Sequence, residues 1–346
     1  MMDTRIFKIE SANDLPDIKA AADILKSGGL LAIPTETVYG LGASMACPAA
    51  IRRIFEVKGR PQDNPLILHI SGTDKISRCA ANIPQKAYEL AEKFWPGPLT
   101  MILPKAPDIP DEVTAGLDTV GIRCPANEVT RAIIRECREP VAAPSANLSG
   151  KPSTTNAGHV IHDLFSKIEG IVDGGECAVG LESTIIDLTV QPPRLLRPGG
   201  ITLAQLESVL GEVDIDPAVR RALKEGEKPK APGMKYRHYA PAAPITILRG
   251  SAEKAAEYVS AQVLAKKAVL CFDEEKEVFA KCGAQVYTYG RREAPGELAH
   301  RLFARLRDLD ETDTDHIFAR CPEGDGVEMA IKNRLSKAAG YSFIDL

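Results

Sequence analysis

At 346 residues, with 44% hydrophobic and 26% charged side chains, the chain is long enough for two domains and has no signature of intrinsic disorder. Its formal net charge of -4 argues against a protein that coats nucleic acid nonspecifically, because that role needs a basic surface. The eight cysteines show no CxxC spacing, and neither a signal-peptide core nor a membrane-spanning apolar run occurs, so we expect a cytoplasmic protein with reduced cysteines.

The first two hundred residues alternate helix-like and strand-like segments. Asn13 or Asp14 is a candidate cap for a helix that runs to about Ser27, where Gly28 stops it. The other predicted helices are 48–57, 84–95 and 127–137, and the predicted strands are 30–35, 65–70, 99–104, 119–125, 140–146 and the short segments GIVDGG, STIIDL and PRLLRPG. Because some strands lie too close in sequence for helical crossovers, the pattern predicts an α/β domain with a mixed sheet.

The composition changes in the middle of the chain. Between Arg220 and Arg237 there are seven Lys or Arg residues against two Glu, and Pro229 and Pro232 interrupt the segment. Low hydrophobicity combined with proline predicts a linker. We therefore divide the chain into a first domain (1–210), a basic linker (211–243) and a smaller α/β domain (244–346), whose predicted strands are ITILRG, KAVLCF, AQVYTYG and DHIFARC.

Four polar segments of the first domain lie at strand ends and in loops, where open α/β folds hold their ligands. The first is PTETVYGLGA (34–43). Thr37 is its candidate hydrogen-bonding residue, and Gly40 and Gly42 permit close approach of the backbone. The alternative is a strand-to-helix turn with capping hydroxyls.

The second segment, KGRPQDNPLILHI (58–70), contains two cations. Lys58 and Arg60 lie two apart in a predicted extended loop that Pro61 and Pro65 lock, a geometry that directs both side chains toward one anion. Lysine supplies a point charge, and arginine a planar fork suited to phosphate oxygens. His69 is a candidate pocket residue on the next strand. A solvated surface loop and a structural strand histidine are the alternatives.

The third segment is APSANLSGKPS (143–153). Small residues end a buried strand and expose backbone N–H groups, and Ser145, Asn147 and Ser153 add polar side chains, a combination that suits a polyphosphate. The spacing of a Walker loop, GxxxxGK[ST], is absent from the sequence. A serine-rich turn is the alternative.

The fourth segment comprises VGLESTIIDL (179–188) and LLRPGG (195–200). The partner of Arg197 is either a ligand phosphate or Glu182. The sequence shows no nucleophile triad, no HExxH motif and no Asp-rich metal loop, so we expect a site that binds and positions charged groups. Such a site suits phosphoryl or nucleotidyl transfer, with Mg²⁺ entering on the nucleotide.

Six of these segments, taken in order, resemble one family. PTETVYGLGA, the Lys-x-Arg of KGRPQDNPLILHI, WPGPLT (95–100), the Ser-x-Asn of APSANLSG, GGxxxxGxESTIID (174–187) and LLRPG are similar to the YrdC-like domain of threonylcarbamoyl-AMP synthases. APGMKYRHYAP (231–241) and the residues after it resemble the long, two-domain form. The resemblance implies a YrdC-like twisted open mixed sheet with helices, followed by a smaller Rossmann-like α/β domain.

The resemblance also implies roles for individual residues. Lys58 and Arg60 match the catalytic positions. The positions associated with ATP are Lys58, Arg60, Asn64, Thr119, Ser145, Asn147, Ser153, Arg197 and Tyr236. The positions associated with threonine are Thr37, His69, Arg123, Ala143 and Ser183. Tyr236 lies in the linker, which would then act as a lid.

The implied reaction makes threonylcarbamoyl-AMP and pyrophosphate from L-threonine, bicarbonate or CO2, and ATP with Mg²⁺. The product would pass to downstream machinery that modifies tRNA. One alternative is an RNA-binding or ribosome-associated YrdC-like module without catalysis, which the acidic composition and the lack of interleaved aromatic residues disfavour. Another is a different carbamoyl-transfer enzyme, which the lack of CxxC pairs disfavours.

Overall fold

A computed structural model describes residues 2–221 and 239–346. These residues form two compact units: the first contains 2–149 and 153–221, and the second contains 150–152 and 239–346. Tyr236 and most of the segment predicted to act as a lid lie outside the described residues.

The first unit is built on one large mixed sheet. Its strands are β1 (Arg5–Lys8), β2 (Leu31–Ile33), β3 (Gly40–Ser44), β4 (Ile67–His69), β5 (Leu99–Pro104), β6 (Thr119–Arg123), β7 (Val141–Ala143), β8 (Gly170–Asp173), β9 (Thr184–Asp187), β10 (Arg194–Arg197) and β11 (Asp214–Ile215). Their spatial order is β1-β8-β2-β3-β7-β4-β6-β5-β9-β10-β11. Parallel pairs such as β4 with β6 alternate with antiparallel pairs such as β4 with β7, which confirms the predicted mixed sheet.

Seven α-helices are described in this unit. They are α1 (Leu15–Lys26), α2 (Pro48–Lys58), α3 (Gln85–Phe94), α4 (Asp111–Thr114), α5 (Glu128–Cys137), α6 (Ala157–Leu164) and α7 (Leu203–Leu210), with 3₁₀ turns at Thr73–Arg78 and Pro217–Val219. Helix α1 buries Ile18, Ala21, Ala22 and Leu25, the spacing of one helical face. These residues share a core cluster with Val129, Ile133 and Ile134 of α5, together with residues of β1, β2, β7 and β8.

Gly40 and Gly42 of the first polar segment were predicted to permit close approach of the backbone in a loop at a strand end. In the structure they belong to strand β3 instead. Both glycines lie in this fully buried strand, between β2 and β7. A Cβ atom on Gly42 would come within 2.7 Å of Val141 Cγ1, and one on Gly40 within 3.3 Å of Ala143 Cβ. The glycines therefore permit close packing against the neighbouring strand.

The sheet extends beyond residue 210, the predicted end of the first domain. Strand β11 lies inside the range 211–243 assigned to the linker, and it pairs in parallel with β10 through Arg194 with Asp214 and Leu195 with Ile215. The Asp216 side chain then accepts a hydrogen bond from the backbone N–H of Ala218 in the following turn. Residues 211–219 thus take part in the folded unit.

The second unit contains a smaller sheet whose strands are all parallel. The strands are β12 (Ile245–Arg249), β13 (Lys267–Cys271), β14 (Gln285–Thr288), β15 (His316–Ala319) and β16 (Phe343–Asp345), in the order β14-β13-β15-β12-β16. The helices are α8 (Ala252–Ala261), α9 (Lys276–Phe279), α10 (Pro295–Asp310) and α11 (Val327–Ala338). Parallel strands joined through helices confirm the Rossmann-like α/β prediction.

Two further observations concern the described residues as a whole. All eight cysteines lie among them, and none is paired in a disulfide. Within 2–221 and 239–346, no helix combines the length and the apolarity needed to cross a membrane.

Candidate active site

Lys58 and Arg60 are positioned by the end of α2. The extended loop predicted for them is wrong, because Lys58 is the last residue of the helix and Gly59, with φ 62°, ends it in the left-handed conformation. The Lys58 ammonium is buried and donates to the backbone carbonyls of Ser145, at 2.6 Å, and Asn147. Lys58 thereby fixes the loop that follows β7 against the end of α2.

Arg60 faces the segment that leads into β4. Its Nη2 donates to the carbonyls of Asn64 at 3.3 Å and Pro65 at 3.2 Å. The Asn64 side chain is 1% exposed, and neither its amide nitrogen nor its amide oxygen has a hydrogen-bond partner among the described residues. Burying such an amide unsatisfied costs about 1–3 kcal/mol, so it indicates a group that completes its bonding in a complex.

The sheet register brings these segments to one end of the central strands. Ile67 of β4 pairs with Ala143 of the antiparallel β7, so the residues before β4 and those after β7 lie at the same end. Ile67 also pairs with Gly121 of the parallel β6, which places Thr119, at the start of β6, at that end as well. Asn64, Thr119 and Ser145 therefore converge although they are distant in sequence.

The loop that carries Ser145 and Asn147 is internally ordered. The Ser145 hydroxyl donates to the Asn147 side-chain oxygen, and Asn147 is 5% exposed. The backbone N–H of Ala146 donates to the Tyr39 carbonyl at 2.8 Å. Tyr39 is the last residue before β3, in the loop 34–39 that contains Thr37 and begins with PTET. The Ser-x-Asn loop and this PTET loop are therefore hydrogen-bonded to each other.

Arg123, at the end of β6, forms the charged centre of the second group of predicted residues. It is 4% exposed, and its Nη2 lies 2.7 Å from Oε1 of Glu36, whose side chain is 11% exposed. Its Nη1 donates to the Thr37 hydroxyl at 2.7 Å and its Nε to the Gly97 carbonyl at 3.4 Å. The backbone N–H of Ala126 donates to Glu36 Oε2 at 2.9 Å. This buried ion pair holds the PTET loop against β6.

His69 is the neighbour of Arg123 across the β4–β6 ladder. Its ring is 4% exposed, and Nδ1 lies 3.2 Å from the Ile67 carbonyl. Burial, and then the positive charge of Arg123, lower the pKa of His69 to about 3. His69 is therefore an uncharged, buried polar residue at physiological pH. Ala143, at the end of β7, is buried in the same part of the sheet.

Ser183, which directly precedes β9, and Arg197, the last residue of β10, form a third group. The Arg197 Nε donates to the Ser183 carbonyl at 3.0 Å, and its Nη2 to the Ser183 hydroxyl at 3.1 Å. That hydroxyl also lies 2.8 Å from the hydroxyl of Thr100 on β5. The buried Ser153 hydroxyl donates to Glu182 Oε1 at 2.6 Å. Glu182 is thus a partner of Ser153.

Two residues of this region, Glu36 and Thr100, were not predicted, although each contacts a predicted site residue. Glu182 was predicted only as an alternative partner of Arg197, and it accepts from Ser153. Glu36 contacts Arg123, and Thr100 contacts Ser183, so in each case the two partners are far apart in sequence. The signal that was available is the position of Glu36 between two threonines directly after a buried strand.

Together, these side chains form a site suited to anions. Four cations come from the end of α2, from β6 and from β10: Lys58, Arg60, Arg123 and Arg197. Three of them, Lys58, Arg123 and Arg197, are buried beside carbonyl or hydroxyl oxygens. Fixed cations in partly dry surroundings stabilise negative charge more strongly than cations in water do. The structure leaves Tyr236 outside the described residues and brings the other predicted residues to neighbouring strand ends and loops.

Comparisons with known proteins identify the family. The profile of the Sua5/YciO/YrdC family, described as telomere recombination, matches residues 23–199, and that of the threonylcarbamoyl-AMP synthase C-terminal domain matches residues 201–340. The threonylcarbamoyl-AMP synthase of Pyrococcus abyssi is 47% identical over 331 residues, covering 94% of this chain and 95% of that protein. The Bacillus subtilis enzyme of the same name is 46% identical over 331 residues, covering 95% and 94%.

A solved structure agrees with these sequence relationships. The crystal structure of P. abyssi Sua5 complexed with L-threonine has a TM-score of 0.91 and 44% sequence identity, and the match covers 99% of this chain and 100% of that one. Both parts of the chain are therefore accounted for by one group of relatives. The chain belongs to the threonylcarbamoyl-AMP synthase family, with a YrdC-like domain followed by that family's C-terminal domain.

Proposed function

We propose that this chain makes threonylcarbamoyl-AMP by adenylyl transfer from ATP to N-carboxy-threonine, releasing pyrophosphate. The observation that carries the proposal is the hydrogen bond from Ala146 N–H to the Tyr39 carbonyl, because it joins the Ser-x-Asn loop to the loop that contains Thr37. An anion site and an amino-acid site are thereby adjacent. Family membership supports the same reading, and the related P. abyssi protein was crystallised with L-threonine.

Arg123 is the residue that we assign to the threonine carboxylate. A guanidinium has five N–H donors. Arg123 donates its Nε–H to Gly97 and one Nη1–H to Thr37. Its Nη2 forms an ion pair with Glu36 Oε1 at 2.7 Å but has no hydrogen-bond partner among the described residues, so Nη2 and the second Nη1–H remain for a further acceptor. A carboxylate accepts two parallel N–H bonds from such a fork. Thr37, His69, Ala143 and Ser183 would form the remainder of the threonine pocket.

We assign the triphosphate of ATP to the group of residues around Lys58. Lys58, Arg60 and Arg197 would offset its negative charge, with Ser145, Asn147, Asn64, Thr119 and Ser153 as polar contacts. Magnesium would enter as the ATP complex, held by phosphate oxygens. Within residues 2–221 and 239–346 no group of three or more His, Cys, Asp or Glu residues is placed to hold a metal ion, and we assign no protein ligand to it.

The chemistry follows from this placement. The neutral threonine amine adds to CO2 with loss of a proton, or to bicarbonate with loss of water, and forms a carbamate. A carbamate oxygen then attacks the α-phosphorus of ATP while pyrophosphate leaves. The protein's contribution is alignment and charge neutralisation, which dominate catalysis of phosphoryl-type transfers. Because the carbamate intermediate is short-lived in water, the site should be closed during turnover. The product would then pass to the downstream enzymes that modify tRNA.

The test is pyrophosphate release by the purified chain with ATP, magnesium, threonine and bicarbonate. We expect release that needs both threonine and bicarbonate, and we expect Arg60→Ala to remove most of it. Arg52→Ala is the matched control, because Arg52 is an exposed arginine of α2 that pairs with Glu112 outside the site. Release that is equally fast without threonine, or salt-sensitive RNA binding without any turnover, would defeat the proposal.

A further inference from the structure

A second cationic cavity lies in the first unit, away from the residues assigned above. Its volume is about 190 Å³. It is bounded by Ile70 and Ser71, which follow β4, by the last turn of α5, and by Pro140, which precedes β7. No residue assigned to ATP or to threonine lines it. The cavity therefore requires an explanation separate from the synthase reaction.

The charged groups around this cavity are mostly positive. Lys75, Arg78, Arg135 and Arg138 line it, against one carboxylate, Glu139. This concentration of cations occurs in a chain whose net charge is -4. The floor is apolar, and the Ser71 hydroxyl is the remaining polar side chain of the lining. Such a cavity attracts anions and excludes cations.

Internal ion pairs account for part of this charge, and Lys75 lies 3.0 Å from Oδ2 of its neighbour Asp74. Arg78 lies within ion-pair distance of Asp108 and of Glu139, the latter at 3.3 Å. Arg135 and Arg138 make no ion pair with another side chain among residues 2–221 and 239–346. The only carboxylate of the lining is thus shared with Arg78, and two guanidinium groups stay available.

The backbone at Arg138 gives a second, independent indication. Arg138 ends α5 with φ 66°, a left-handed conformation for which glycine is the usual residue. A side chain in that conformation is less stable than glycine there. A helix C-terminus attracts positive side chains, which explains why Arg135 and Arg138 occur at the end of α5. Lys75 and Arg78 lie in the last turn of a different element, the 3₁₀ turn at Thr73–Arg78, so the C-terminal turns of two elements bring their cations to the same cavity.

The size of the cavity limits its occupant. A cavity of about 150 Å³ holds a molecule as large as benzene, so this one has room for a small anion. Arginine forks bind phosphate oxygens in pairs, and a nearby lysine adds a point charge. We propose that the cavity lined by Lys75, Arg78, Arg135 and Arg138 is a binding site for a small phosphate-class polyanion such as inorganic pyrophosphate.

The experiment measures protection of individual arginines, since pyrophosphate would also enter the synthase site. The full chain is treated with phenylglyoxal with and without inorganic pyrophosphate, and modified arginines are located by mass spectrometry. We expect pyrophosphate to protect Arg135 and Arg138 equally in the unaltered chain and in Arg60→Ala. Failure to protect either arginine overturns the proposal, whatever happens at Arg60. This readout is therefore independent of whether the chain is an active synthase.

A charge-reversed variant gives the second arm. In the Arg60→Ala background, Arg135→Glu with Arg138→Glu should raise the pyrophosphate concentration that protects Arg78 from phenylglyoxal roughly tenfold or more, as loss of two charge-assisted contacts implies. Arg5→Glu with Lys8→Glu, on exposed strand β1, makes the same change in net charge and should leave binding unchanged. If the reversed variant loses its circular-dichroism spectrum, Arg135→Gln with Arg138→Gln replaces it.

The two arms also separate a small anion from nucleic acid. Pyrophosphate binding that is unaltered in the reversed variant overturns the proposal. Binding of an RNA oligonucleotide that is lost in the same variant, while pyrophosphate binding persists, overturns it in favour of a nucleic-acid contact.

Discussion

Replacement of Arg123 by methionine is the change to which the described site should respond most strongly. The guanidinium is 4% exposed and lies 2.7 Å from Glu36 Oε1, whose side chain is 11% exposed. Methionine keeps much of the apolar bulk but removes the charge and the donors to Thr37 and Gly97. The Glu36 carboxylate would then stay buried, with the N–H of Ala126 as its neutral donor.

The magnitude follows from the burial of both partners. Removing one member of a buried ion pair typically costs about 3–5 kcal/mol, because the other charge is left uncompensated. Most of that cost should disappear if Glu36 is neutralised at the same time. We therefore expect Arg123→Met to lower the free energy of unfolding by about 3–5 kcal/mol, and Glu36→Gln in the Arg123→Met background to restore at least about 1 kcal/mol.

The assay is urea unfolding followed by circular dichroism, on the four chains of the double-mutant cycle. A well-folded double variant also permits a threonine titration, in which we expect a raised KM for threonine. The matched control is Arg131→Met, since Arg131 lies on α5 and pairs with the exposed Glu128 at 3.7 Å. A loss below about 1 kcal/mol for Arg123→Met, or no recovery in the double variant, would refute the reasoning.

Three further predictions concern pH, the buried amide and magnesium. Because burial lowers the pKa of His69 from 6.5 to about 3, the unfolded chain binds a proton that the folded chain does not, so stability is complete above about pH 6.5 and is lost as the pH falls toward 3. At pH 5 this loss is about 2 kcal/mol, and urea unfolding of His69→Asn should show a correspondingly flatter pH dependence; an equal slope contradicts it. Asn64→Leu should keep or raise stability, because its amide is buried without a partner, while raising the KM for ATP; unchanged ATP kinetics would exclude the assigned role. Chelation with EDTA should stop pyrophosphate release and leave threonine binding intact by calorimetry, whereas turnover in excess chelator would contradict entry of magnesium on ATP.

The sequence patterns predicted strands and helices wherever hydrophobic periodicity was strong. The runs 99–104 and 119–125 contain β5 and β6, and the predicted helix 127–137 contains α5. Strand β3 was missed because GLGAS is buried at every position, and its glycines serve close packing against Val141. Helix α11 was missed for the opposite reason, since it buries polar residues such as Arg334 and Asn333 and so lacks an apolar stripe.

The site was predicted in part for similar physical reasons. Small and polar residues at strand ends indicated the loops of Thr37 and Ser145, and the resemblance to a family supplied the remaining positions. The geometry of Lys58 could not be predicted, because helix α2 continues one residue further than its apolar pattern requires and then ends at Gly59. The Arg123–Glu36 pair is a contact between segments far apart in sequence, which no local pattern indicates.

Identification of both products formed from ATP, threonine and isotopically labelled bicarbonate tests adenylyl transfer most directly. The account predicts a nucleotide that carries the label in a threonylcarbamoyl group on AMP, together with an equal amount of pyrophosphate. Formation of ADP and inorganic phosphate instead, with the label absent from any adenylate, would contradict it.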